Sequence, residues 1–296
     1  MTPKICPKTK TRVKEQQVSQ IELYNNPTRL IGFVGRAQSG KMTSCSYLAG
    51  LSWQLLGLVN EFFVNDQGLL VVKDLKGNKF PRGKHLDVLN WNNDEEINSI
   101  LEVVSPHPMN IVQKVAFADP MKQVTHLTFG IEPELLWGDD KAKGTETQYT
   151  ANDFIKLIGA AKFPYKEMNG NDKLTVRQIL CLFGTDVCRR INENIWVDRT
   201  VENIYRIIEQ WRPALIVVED VRHENEIKAI QDMGGICIGL TRKPRSSAGT
   251  KHSTEQSKKY FNLCDFVVDN ADMDINSQCL AIWEVWKDII TSPGEQ

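Results

Sequence analysis

No stretch of the chain strings together the roughly 18 apolar residues that a membrane span requires. An excess of one charge is missing too. The 36 Lys and Arg against 37 Asp and Glu leave a net charge of −1, so a strongly basic nucleic-acid binder is not indicated. There is no Cys-x-x-Cys pair. The 7 cysteines are scattered and odd in number, which argues against both a disulfide framework and a zinc site and for reduced thiols in a cytoplasmic protein. Met1 to Lys14 is basic and polar with no apolar centre, so it does not read as a secretory signal. Low-complexity tracts and internal repeats are also missing. What remains is an ordinary globular composition, 41% hydrophobic and 25% charged, over 296 residues. That length suffices for one large domain or two modest ones.

Residues 1–29 have weak apolar periodicity and a basic bias, and read as a solvated arm. Leu30-Ile-Gly-Phe-Val34 is a short apolar run, followed by a Gly-rich turn and a helix-compatible stretch from Lys41 to about Leu58. Glu61–Val64 and Leu69–Lys73 flank Asn65-Asp-Gln-Gly68, the pattern of an inserted β-hairpin or small meander, with a second turn at Lys76–Asn78. Asp94 to Val104 has a helical pattern. Ile111–Ala118 reads as a strand, and Asp119-Pro120 as the capped start of a helix. Residues 130–172 are polar and acidic and predict short helices and loops. Further helices are expected over Val176–Phe183, closed by Gly184, over about Trp196–Gln210, over His223–Met233 and over Asp274–Ile290. Ala214–Val218, Ile236–Leu240 and Asp265–Val268 read as strands. Strands alternating with helices define an α/β fold with a mainly parallel sheet covered on both faces.

Gly35-Arg-Ala-Gln-Ser-Gly-Lys-Met-Thr43 fits G-x-x-x-x-G-K-x-T. Such a loop turns successive backbone N–H groups toward phosphate oxygens, with a lysine reaching the β/γ-phosphates and a helix N-terminus adding positive potential. Gly35, Arg36, Ser39, Gly40, Lys41 and Thr43 are therefore candidate nucleotide-binding residues. The usual hydroxyl after the lysine is replaced by Met42, and Thr43 follows one place later. Thr43 is accordingly a weak candidate for magnesium and a better one for a phosphate oxygen.

Leu215-Ile-Val-Val-Glu-Asp-Val-Arg222 places an acid at the carboxyl end of a buried strand, where ligands of such sheets sit. Asp220 there can hold hydrated magnesium or orient an acceptor phosphate, and Arg222 can clamp a phosphate. The bland reading is a surface acid and an arginine in an ion pair. Arg177 and Arg189 bracket Gly184-Thr185-Asp186, where both a phosphate site and a simple helix–cap junction fit. Thr241-Arg242-Lys-Pro-Arg245, followed by Lys251–Glu255, is a basic loop able to close over a nucleotide or simply to face solvent, with His252 read as structural. A nucleotide-binding protein without turnover stays open, as does a kinase of another small phosphorylated acceptor, of the dephospho-coenzyme A or phosphomevalonate type.

Together these segments resemble the deoxynucleoside monophosphate kinases of T4-like bacteriophages. The motifs that carry the resemblance are the 35–43 loop, Phe117–Lys122, Trp137–Lys141, Val176–Asp186, Asn194–Trp196, Asp220–Arg222 with Asn225-Glu226, and His252–Glu255. They occur in family order over residues 30–270, outside the 1–29 arm and an insertion at about 59–105. The resemblance implies a P-loop kinase domain over 30–296 with a lid and acceptor-binding region at about 130–200. It implies transfer of the ATP γ-phosphoryl, with magnesium, to a deoxynucleoside monophosphate, in the host cytoplasm if the protein is viral. It implies charge stabilisation by Lys41, donor-phosphate contacts by Gly40 and Thr43, and an acceptor side of Arg177, Thr185, Trp196, Asp220, Arg222 and Glu226; beside these, Asp220 and Arg222 are catalytic candidates with Lys41, Arg242 is a donor-side candidate, and Gly184 and Arg189 are acceptor-side candidates. A homodimer is compatible with the sequence; membrane and nucleic-acid partners are not expected.

Overall fold

The computed structural model describes residues 28–55, 59–66, 68, 70–74, 86–87, 112–242 and 257–291. Residues 1–27 of the basic arm, the Lys76–Asn78 turn, the 94–104 helix and most of the basic loop, including His252, lie outside the described residues, while Arg29, the last residue expected in the arm, opens β1 instead. In chain order the first elements are β1 (Arg29–Val34), α1 (Lys41–Leu55), β2 (Val59–Val64), β3 (Leu70–Asp74), β4 (Leu86–Asp87) and β5 (Val112–Val115). Next come α2 (Asp119–Phe129), α3 (Pro133–Leu136), α4 (Asp140–Lys143), β6 (Glu146–Thr150), α5 (Ala151–Ile158), β7 (Lys173–Thr175) and α6 (Val176–Cys181). A π-helical segment, Leu182–Cys188, leads into α7 (Arg189–Ile191) and α8 (Ile195–Trp211). The chain continues through β8 (Leu215–Val221), α9 (Glu224–Asp232), β9 (Ile236–Leu240), a 3-10 turn (Ser257–Leu263), β10 (Phe266–Val268) and α10 (Ile275–Thr291). Two compact units result. Of the described residues, one holds those up to 115 and those from 204 on; the other holds 116–203.

The first unit is built on a sheet of order β10-β9-β1-β8-β5, parallel at every pairing. β1, β9 and the first four residues of β8 are near-continuous apolar runs because both faces are covered there. Ile31, Phe33, Leu215, Val217, Ile238 and Leu240 pack on one face against Cys45 and Leu48 of α1 and Ile282 and Trp286 of α10. On the other face Gly32 lies so close to α9 that a Cβ there would stand 2.4 Å from Ile230 Cδ1. This is the expected doubly covered parallel sheet. α1 carries buried residues around its circumference, as a helix enclosed by protein must. The inserted segment forms the expected antiparallel β2–β3–β4 meander, whose first turn closes through Gly68 N to Asn65 O at 2.8 Å.

One irregularity in this sheet matters for chemistry. Gly32 pairs with Val218 and Val34 with Val221, so Glu219 and Asp220 together oppose Phe33. This is a β-bulge, and it breaks the alternation of side chains. Val217 faces α1, whereas Val221 lies on the α9 side, with its Cγ2 3.1 Å from where a Gly32 Cβ would stand. Glu219 and Asp220 consequently share the α1 face of the sheet.

The second unit is mostly helical around Leu136, Phe154, Leu174, Val176, Ile179 and Leu182. Short helices do appear in 130–172, but β6 and β7 pair antiparallel where the sequence suggested only loops and helices. Glu-Thr-Gln-Tyr-Thr in β6 lacks the apolar alternation that announces a strand. Asp119 does not cap α2 by accepting its first amides. It is the first helical residue, and its carboxylate accepts from Ala116 N at 3.1 Å and Trp137 Nε1 at 3.0 Å.

Gly184 does not end the helix begun at Val176 either, and Thr185 and Asp186 do not cap a following one. The chain winds through 182–188 as a π-helix, and Arg189 N donates to Gly184 O, five residues back. Glycine fits because a Cβ at 184 would stand 2.1 Å from Met121 Sδ. Close packing on α2, rather than termination, explains that residue.

Candidate active site

The turn after β1, the central strand, opens directly into the N-terminus of α1. Two residues of the loop occupy left-handed backbone conformations, Gln38 at φ 57° and Gly40 at φ 94°. Such residues among right-handed neighbours turn successive N–H groups to one side and form an anion-binding nest. Gly40 was legible in the sequence; Gln38 was not, since glutamine carries no turn signal. Lys41 is buried, and its Nζ donates to the carbonyl oxygens of Gly35, at 2.8 Å, and Arg36. The ammonium is thereby held against the loop. Ser39 Oγ and Arg36 Nε are buried and have no hydrogen-bond partner among the described residues. Unpaired buried polar groups are costly, and two in one anion-binding turn fit a phosphate ligand. Gly35 leaves them room, since a Cβ there would stand 2.5 Å from Ser39 Oγ.

The hydroxyl of Thr43 lies against the β2–β3 turn, 2.6 Å from where a Gly68 Cβ would stand. Ser46 Oγ lies within hydrogen-bond distance of Met42 O and Gly68 O, at 2.7 and 2.9 Å. Met42 is 48% exposed. Ser39 is therefore the hydroxyl nested in the loop.

The bulged carboxylates lie along the same face. Lys114 Nζ on β5 sits 2.9 Å from Glu219 Oε2. The thiol of Cys45, one helical turn after Lys41, titrates well above its ordinary value. Burial is the main cause, and the negative charges of Glu219 and Asp220 add to it against the opposing Lys114 and Lys41. Cys45 thus senses two carboxylates and two ammonium groups. Neither Glu219 nor Lys114 was singled out by motif; only the strand pairing and the bulge bring them here.

Arg222 and Glu226 belong to one junction. Glu226 is buried, and its Oε2 accepts from Arg222 N at 2.7 Å and His223 N at 3.0 Å. This capping arrangement fixes the turn from β8 into α9. Glu226 therefore orients the Arg222 backbone. Arg242 is anchored too, with Nε donating to Asn270 O at 3.1 Å and Nη2 to Met273 O.

In the second unit, Arg177 pairs with Asp140, and Arg189 Nη1 reaches Glu193 O at 3.5 Å. The two arginines thus have separate partners. Trp196 is 4% exposed, and its Nε1 donates to Gly184 O at 3.0 Å, so the indole is a core group that holds the π-helical segment. Thr185 is half-buried in that segment, and Asp186 pairs with Arg190 at 3.3 Å. An open pocket of about 530 Å³ beside it is lined by Phe129, Tyr149, Phe154 and Phe183 together with Gln148 and Asp153.

Among the described residues no group of three or more His, Cys, Asp and Glu could hold a metal, and no helix is long and apolar enough to cross a membrane. A magnesium ion is commonly held by substrate phosphates and one or two carboxylates, a set that the loop and the bulged acids fit.

A glycine-rich turn joining the central strand of a parallel sheet to a buried helix, with paired acids on the neighbouring strand, is the arrangement of a P-loop kinase fold. Residues 29–277 match the family model for deoxynucleotide monophosphate kinase, and the chain belongs to that family. Its activity is accordingly that of an ATP-dependent kinase acting on a deoxynucleoside monophosphate. No curated protein matches the chain in sequence.

Proposed function

We propose that the loop of residues 35–43 holds the phosphates of ATP and that an acceptor phosphate oxygen attacks the γ-phosphorus. The new P–O bond forms as the bond from the γ-phosphorus to the bridging β-oxygen breaks, giving the deoxynucleoside diphosphate and ADP. The observation that supports this most directly is the loop itself, with its left-handed turn residues, its buried lysine and its two buried polar groups that have no partner among the described residues. Phosphoryl transfer asks the protein mainly for positioning and charge stabilisation.

Gly35, Arg36, Ser39 and Gly40 cradle the donor, with Thr43 at the foot of the helix. Lys41 exchanges a loop carbonyl for a phosphoryl oxygen and stabilises charge as it moves to the β-phosphate. Asp220 and Glu219 would hold the waters of a magnesium ion, which would supply charge neutralisation at the donor phosphates. Arg222, oriented by Glu226, and Asp220 serve the acceptor. Arg177, Thr185, Arg189 and the Gly184–Trp196 pair are assigned to the acceptor side. Arg242 supports the donor site through the 270–273 turn.

The test is product formation from a panel of ribo- and deoxynucleoside monophosphates with ATP and magnesium, alongside Lys41→Ala. Diphosphate from deoxynucleotides, lost in the variant, supports the reading. A folded protein that binds ATP and phosphorylates none of them refutes it.

A further inference from the structure

Two residues near the C-terminal end of the described chain reach into the phosphate loop from 231 and 238 positions away. Asn270 and Gln278 are fully buried polar residues. Asn270 Nδ2 donates to Ser39 O and to Gln278 Oε1, both at 2.8 Å, while its Oδ1 accepts from Arg242 N at 2.9 Å. Gln278 Nε2 donates to Gly40 O at 2.8 Å and to Ser44 Oγ at 2.9 Å. Both amide groups thus use their two N–H donors and at least one acceptor lone pair. Their orientation is unambiguous, because a flipped amide would set an oxygen against a loop carbonyl. A fully satisfied buried network of this kind rigidifies what it touches.

What it touches is the backbone on the far side of the nest. A peptide unit is planar, so fixing the direction of a carbonyl fixes the N–H of the next residue in the opposite direction. Holding Ser39 O and Gly40 O outward turns the N–H groups of Gly40 and Lys41 inward. Gly40 also sits so close to Gln278 that a Cβ there would stand 2.5 Å from its Oε1.

We infer that Asn270 and Gln278 are positioning residues for the donor phosphates: they set the loop in its anion-binding form before ATP arrives and tie it to Arg242. The inference rests on the assignment of ATP to this loop. It lowers the ordering cost of binding, and that gain is specific to the donor.

The experiment uses the full chain with Gln278→Met, which keeps length and volume and removes the amide, and Gln278→Glu, which keeps the acceptor toward Asn270 and removes both donors. ATP affinity is measured by calorimetry, and KM separately for ATP and for the best monophosphate. Both variants are expected to raise the ATP constants about tenfold and to leave the KM of the monophosphate within about twofold. Unchanged ATP constants in a folded variant overturn the inference, as does an equal rise for both substrates. Failure of both variants to fold assigns the network to stability alone and overturns it as well. The loop assignment has its own control. ATP binding that Lys41→Ala does not weaken would sink that assignment, whatever Gln278 does.

Discussion

The indole Nε1 of Trp196 donates to the carbonyl of Gly184 at 3.0 Å, and that same carbonyl accepts the backbone N–H of Arg189. One oxygen therefore closes a π-helical turn and anchors a buried aromatic ring. π-helical turns are rare and concentrate at functional positions. Their wider winding offers a carbonyl to a side chain that an α-helix would leave no room for.

Trp196→Phe keeps most of the packing and deletes the donor. It is expected to cost about 1 kcal/mol of stability, read as a shift in urea midpoint. With Gly184 on the acceptor side, the KM of the monophosphate should rise several-fold while that of ATP holds. An unchanged monophosphate KM would reduce Trp196 to a core residue.

Gly184→Ala tests the packing that the glycine permits. The new methyl would stand 2.1 Å from Met121 Sδ, so the side chain of Met121 or the π-helical turn must move. The expected loss is about 1–3 kcal/mol. Met121→Ala in the same chain should recover part of it. Additive losses in the double variant would show that Met121 is not the clash.

The contrast between these residues shows what a sequence can convey. Gly35, Gly40 and Lys41 were legible because local spacing alone forces the loop, and β1, β8 and β9 because buried parallel strands are continuous apolar runs. Gly184 was misread as a helix stop, since a glycine that ends a helix and one that admits a neighbouring methionine look alike in one dimension. Glu219 was invisible as a site residue. Simple alternation puts it and Asp220 on opposite faces, and only the register against Gly32 and Val34 reveals the bulge. Asn270 and Gln278 carry no motif and are joined to the loop by the fold alone. β6 was missed because its polar residues lack a strand's period.

Lys41→Ala removes an ammonium held against loop carbonyls. Turnover is expected to fall by about two orders of magnitude or more, in keeping with the charge stabilisation such groups supply. Circular dichroism should show the fold retained. Turnover within a few-fold of the original would take Lys41 off the catalytic list.

Lys114 and Glu219 are both about one quarter exposed or less, so their ion pair is partly screened. Lys114→Met should change stability by no more than about 1 kcal/mol. Its larger effect is electrostatic. With Lys114 gone, Glu219 adds negative charge beside the phosphate loop, and the KM of ATP should rise several-fold. Lys114→Met with Glu219→Gln restores neutrality and should recover most of the affinity. If the double variant binds ATP no better than Lys114→Met, charge is not the link.

Three thiols with raised titration points bear on the alkaline stability of the fold. Burial raises Cys45 and Cys237, and it pushes Cys264 from its ordinary 9.0 up to about 12, with Asp265 adding to the shift. Below about pH 9 these thiols are protonated in both folded and unfolded chains, and their contribution to stability is fully present. As pH rises through 9, the unfolded chain loses protons that the folded chain keeps, so stability falls, and for Cys264 the fall continues to about pH 12. Each such thiol can contribute a slope of at most about 1.4 kcal/mol per pH unit in that window. Urea midpoints should therefore be level from pH 7 to about 8 and drop above pH 9. Cys264→Ala should make that drop shallower. An equally steep fall in Cys264→Ala would place the alkaline transition on other groups, Tyr165 foremost, whose buried phenol is also raised.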